Sequence, residues 1–203
     1  MALGLAAVTA DSSGRTLVVD VDPQGSAEEI ATAAGDALPF DFTADTDPRE
    51  LRKLRGVRDY DTVFVDCPGS LEGRDVLDEV LASAHFAIVP IIPEPAAVTP
   101  TLRTAEFVAE RGVPYRVVLN QVDPLRGAGP VDAAREMLTR AGLLHMHSFV
   151  RRYVAHSASQ LEGQMLTQYR GDRSWHNALD DLRRIHTELL LELGRMAAAA
   201  ETR

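Results

Sequence analysis

Two patterns alternate along the chain. Short, unbroken apolar runs rich in β-branched residues alternate with longer stretches whose apolar positions recur every three or four residues. The first pattern describes strands covered on both faces, as in parallel sheets. The second describes amphipathic helices. Strands are predicted over residues 16–21, 38–43, 62–65, 86–92, 114–119 and 146–150, and helices over 2–10, 26–37, 47–58, 71–84, 99–111, 132–141, 157–165 and 174–200. Ser26 can cap the second helix, with Glu28 and Glu29 in its first turn, where acids favour the helix dipole. The last helix carries Leu179, Leu182, Ile185, Leu189, Leu190 and Leu193 at helical spacing. This alternation predicts an α/β fold: a doubly wound, mostly parallel sheet with helices on both faces. A doubly wound domain rarely opens on a helix, so a strand upstream of residue 2 is expected, a helix-first domain being the alternative.

Composition narrows the picture. At 203 residues the chain suffices for a single α/β domain, 1–203. No apolar run approaches the ~20 residues that span a bilayer, so no membrane span is expected. The start lacks the basic region of a signal peptide. The lone cysteine, Cys67, permits no internal disulfide, which suits a reducing cytoplasm, and it reads as a small space-filler. A net charge of −9 excludes a surface built throughout for nucleic acid, so any DNA contact must come from a local basic patch. Histidines are scattered. His145 and His147 alternate, but no third ligand is evident and no metal site is read from them.

Chemistry concentrates at strand ends. The segment TLVVDVDPQGS (16–26) and its echo DTVFVDCPGS (61–70) are apolar runs that end in aspartate and break on Pro and Gly. Acids at the carboxyl ends of parallel strands stand where open α/β sheets place ligands. Asp20, Asp22 and Asp66 could therefore face one crevice, as a nucleotide–magnesium site needs. Asp, Pro and Gly are also common turn formers. Further along, Pro93, Glu94 and Pro95 follow the run FAIVPII, and Asn120 ends YRVVLN. The Asn120 side chain offers both a donor and an acceptor, which suits either a base edge or a local turn. Arg151 and Arg152 follow HSFV, with Arg170, Arg173, Arg183 and Arg184 beyond them, interleaved with Asp172, Asp180, Asp181 and Glu188. They make either a phosphate stripe or a solvated face.

These segments resemble the ParA/MinD-type partition ATPases. DVDPQGS is similar to the family's deviant Walker A-prime segment and VFVDCPGS to its Walker B segment, with Gly69 where a second proline is common. The resemblance implies ATP and magnesium as cofactors, and a cycle of nucleotide-dependent homodimerisation, nonspecific DNA binding and release stimulated by a centromere-binding, ParB-like partner. It assigns Asp22 to positioning the attacking water, with Asp20, Gln24 and Gly25 in the same nucleotide-responsive segment. Asp66 falls to the magnesium water shell, Pro93, Glu94 and Pro95 to the nucleotide's base and ribose, Asn120 to the adenine edge, and Arg151 and Arg152 to DNA. It also implies a cytoplasmic, nucleoid-associated protein. The terminus MAAAAETR lacks the bulky apolar and basic residues of a MinD-type membrane helix. The lone cysteine disfavours the cluster-carrier branch, which needs paired cysteines.

The family's P-loop, K-G-G-x-G-K-T-[TS], does not occur within these residues, and Arg15 is the only basic residue before Arg49. MALGLAAV resembles the helix that follows that loop. Without backbone N–H groups and a lysine to hold phosphates, these residues are expected to bind ATP poorly and not to hydrolyse it. Two expectations follow: a P-loop upstream and an ATPase, or a non-catalytic ParA-like dimerisation domain that pairs with a full-length relative.

Overall fold

In the computed structural model, which describes residues 1–69, 71, 73–127 and 129–201, the predicted alternation is realised as two units: Met1–His85 with Val154–His176, and Phe86–Tyr153 with Asn177–Arg203. Ser70, at the end of the second motif, and Glu72, in the helix predicted over 71–84, lie outside the described residues.

The first unit is built on β1 (Thr16–Asp20), whose residues are buried except Leu17. It pairs in parallel with β2 (Asp41–Ala44) and with β3 (Thr62–Asp66), giving the order β2-β1-β3. Among the described residues β2 and β3 pair only with β1, and every residue of β3 is half-buried. α1 (Ala2–Ser13) and α2 (Ser26–Ala34) cover one face, where Leu3, Ala6, Ala7, Ala27 and Ala34 pack with Val18, Phe40 and Met165. α3 (Pro48–Leu51), the 3₁₀ turn after it and α4 (Arg74–Ser83) cover the other, where Leu51 and Val80 meet Val19 and Val21. Leu17, Val18 and Val19 make the middle of β1 apolar, as suits a strand covered on both faces. α7 (Val154–Leu161) packs against α2, and Gly163 lies so close to α2 that a Cβ there would stand 2.6 Å from the Ala33 carbonyl oxygen.

The second unit pairs β4 (Ala87–Ile91) with β5 (Tyr115–Leu119), again in parallel. α5 (Pro95–Ala109) and α6 (Gly129–Arg140) supply Ala105, Val131, Ala134 and Leu138 to its core. α5 begins four residues before the predicted start at Thr99: Glu94 is its N-cap and Pro95 takes the first turn, where a missing N–H costs nothing. The strand predicted over 146–150 is absent among the described residues. Only isolated bridges form, Val117 with His145 and Val122 with Arg151. The backbone there is held partly by carboxylates of α8 (Trp175–Glu201): Glu188 accepts from the N–H groups of His147 (2.7 Å) and Ser148 (2.8 Å), and Asp181 from that of Arg151 (2.9 Å). α8 realises the predicted apolar stripe through Ala178, Leu179, Leu182, Ile185 and Leu189, while Leu190 is 51% exposed.

Candidate functional site

In the first unit the site grows from strand register. β1 and β3 are aligned so that Asp20 stands opposite Asp66, both at carboxyl ends. Asp22 follows two residues later. The acids sense one another: burial raises the Asp66 carboxyl above its ordinary range, Asp20 and Asp22 push it the same way, and the Met1 ammonium opposes them. A carboxylate concentration of this kind calls for a cation.

The three acids are not equivalent. Asp20 is 2% exposed, and both its oxygens are engaged: Oδ1 accepts from the Asp22 N–H (2.9 Å) and Oδ2 from the Glu28 N–H (3.2 Å) in the first turn of α2. It ties the loop to the helix start. Asp22 is half-buried, and its Oδ1 accepts from the Gln24 N–H at 2.9 Å. The turn closes with Gly25 donating its N–H to the Asp22 carbonyl (3.0 Å) at φ 67°, a left-handed conformation that favours glycine. Gln24 is exposed at the crest of that turn. The Cys67 thiol is pushed up to about 12 by burial and then by Asp66, Asp20 and Asp22, which keeps it protonated and poorly nucleophilic.

The second unit brings the other predicted positions to adjacent strand ends. Ile91 and Leu119 are register partners, and Asn120 donates its N–H to the Ile91 carbonyl (2.8 Å). Pro93 is half-buried, Glu94 and Pro95 are exposed, and Glu94 donates its N–H to the Ile92 carbonyl (2.7 Å). The Asn120 Oδ1 accepts from the Gln121 N–H at 3.0 Å, and Gln121 adopts φ 56°. That contact occupies the amide oxygen locally.

Arg151 is one quarter exposed, and its guanidinium grips Asp181, with Nη2 to Oδ1 at 2.6 Å and Nε to Oδ2 at 2.9 Å. Arg152, its neighbour, is exposed. Arg183 and Arg184 are likewise exposed on α8 in the second unit, whereas Arg170 and Arg173 belong to the first. In sequence Asp181 reads only as one of the interleaved acids; its role as the anchor of Arg151 emerges from the fold. The signal was there: an acid at 181 among Ala178, Leu179, Leu182 and Ile185 lies on the buried stripe of α8 and needs a partner.

The oxygen donors of the first unit suit a hard, hydrated divalent cation. Among the described residues no group of three or more His, Cys, Asp and Glu is arranged to hold a metal ion. Segments 16–26 and 61–69 carry no lysine or arginine and present carboxylates, so they suit magnesium rather than bare phosphate. Among the described residues no helix is long and apolar enough to cross a membrane.

No family model matches the chain. The maintenance of carboxysome distribution protein A of Gloeobacter kilaueensis is 37% identical over 189 residues, covering 93% of this chain and 86% of that protein. The MinD cell division protein of Aquifex aeolicus superposes with a TM-score of 0.71 at 13% identity, over 92% of this chain and 90% of the other. A putative plasmid partition protein from Borrelia burgdorferi, bound to AMPPNP, gives 0.67 at 13% identity over 94% and 92%. The two structures share the fold; the first similarity carries the family, and the chain belongs to the ParA/MinD-type ATPases.

Proposed function

We propose that this chain is a ParA-like positioning protein, which distributes a cargo by nucleotide-dependent homodimerisation on nonspecific DNA. The observation that carries the reading is the β1–β3 register, which sets Asp20 opposite Asp66 with Asp22 just beyond. Asp66, with a carboxyl already raised by burial, is the acid best placed to accept from magnesium-bound water. Asp22 orients water on the turn that ends at Gln24, and Asp20 holds that turn to α2. Asn120 retains its amide N–H₂ for the adenine edge, with Pro93, Glu94 and Pro95 flanking it on the neighbouring strand end. In a longer form that carries the family's P-loop, ATP with magnesium would supply the phosphoanhydride whose cleavage times assembly and release; without that loop these residues hold the acids of the site but not the phosphates. Arg152 makes the phosphate contact with DNA, while Arg151, anchored on Asp181, fixes the backbone that presents it. The cargo adaptor is a ParB-like protein. A protein body is as admissible a cargo as DNA, given the carboxysome role named for the Gloeobacter relative. The place of action is the cytoplasm, at the nucleoid.

Sedimentation of the chain with and without ATP–magnesium, on and off duplex DNA, tests this reading. Nucleotide-dependent dimers that bind DNA support it. Arg152→Ala should then weaken DNA retention and lower the salt slope by about one. Nucleotide-independent dimers would favour a second reading, a non-catalytic domain that pairs with a full-length relative. The carboxylate-only lining of segments 16–26 and 61–69 speaks for that reading.

A further inference from the structure

The free side of β2 in the first unit forms a groove with α2. It is open to solvent over about 550 Å³ and is lined by Glu28, Ala31, Thr32 and Asp36 along the helix and by Asp41 and Phe42 on the strand. Register fixes what this edge displays. Asp45 donates its N–H to the Asp20 carbonyl, toward β1 (2.9 Å). In a parallel ladder alternate residues turn their N–H and C=O to opposite sides. The backbone groups of Phe42 and Ala44 therefore face away from β1, at a strand that among the described residues has no second partner. Asp41, Thr43 and Ala44 are exposed.

We propose that this groove is a docking site for an extended, basic peptide segment of a partner protein, added to the sheet as a strand beside β2. The backbone of Phe42 and Ala44 supplies the hydrogen bonds of strand addition. The half-buried Phe42 ring and Ala31 offer an apolar seat for alternate side chains, and Glu28 and Asp36, exposed on the rim, receive lysine or arginine between them. Among the described residues no lysine or arginine lines the groove. Charge selects the occupant: a second copy would set Asp41 against acids like its own, whereas a basic strand is attracted. The Asp41 carboxylate is also steadied from the sheet side, by the Tyr60 hydroxyl and by Arg15 at 3.1 Å. The groove touches the carboxylate crevice only at Glu28, whose backbone N–H meets Asp20, so Asp36→Asn and Ala44→Pro test the groove apart from the nucleotide reading.

The test uses the whole chain and a short fluorescein-labelled peptide of alternating valine and lysine, followed by anisotropy and amide hydrogen exchange. Binding should weaken with salt, and roughly two- to fivefold on each of Glu28→Gln and Asp36→Asn. The amides of Phe42 and Ala44 should gain protection. A fully N-methylated version of the peptide, which keeps every charge but cannot donate to the edge, should bind at least about tenfold more weakly. Ala44→Pro, which removes an outward N–H and spares the β1 ladder, should do the same. Equal binding of the N-methylated peptide would show attraction by charge alone and overturn the proposal, as would failure of the parent peptide to bind at low salt.

Discussion

Asp20 is the residue whose removal separates two jobs that sequence alone assigns to one position. Its oxygens both accept backbone N–H groups, so Asp20→Ala should destabilise the chain by about 1–3 kcal/mol in urea unfolding, with Asp20→Asn less costly because one acceptor survives. An aspartate after an apolar run was legible as strand-terminal. That it serves the start of α2 was not, because Glu28 is eight residues on and the turn between sets the geometry. Cys67 gives a second check. With its thiol near 12, alkylation of the folded chain at pH 8 should be roughly a thousandfold slower than in urea. A reaction as fast folded as unfolded would contradict the burial that causes the shift.

At the scale of elements, strands and helices followed from periodicity wherever both neighbours were local. The ladder of β1 and the stripe of α8 are examples. α5 began early because Pro95 opens a helix as readily as it ends a loop, and the segment 146–150 reads as a strand but forms none: Met146 and Val150 donate to the Val117 and Leu119 carbonyls, while the N–H groups of His147 and Ser148 between them are met by Glu188 some 40 residues away. Those contacts make the segment sensitive to acid. Burial works to raise the Glu188 carboxyl, but the N–H groups of His147 and Ser148 outweigh it and hold it below its ordinary 4.5. A depressed carboxyl contributes its full stabilisation above the unfolded value, and loses it as pH falls through the folded one. The Glu188 contribution should hence be flat above about pH 5 and decline below about 4.5. In Glu188→Gln the decline should be shallower when unfolding is followed across that range. On the same helix, Ile185→Ala should cost about 2–5 kcal/mol, whereas Leu191→Ala, at 58% exposure, should stay within about 0.5 kcal/mol.

Over the whole molecule, the sheet of the first unit has two margins of opposite character. β2 is guarded by acids. β3 carries acids only at its two ends, Asp61 before it and Asp66 at its close, and between them Phe64 turns into the core beneath α1 and α2, while Val63 and Val65 turn into the core beneath α3 and α4. A charge placed on either face to shield the margin would be buried and would cost the fold. In concentrated stocks the chain should self-associate through the β3 margin. That association should yield to low urea and persist in added salt, and a single substitution within Thr62–Asp66 should not relieve it without loss of fold.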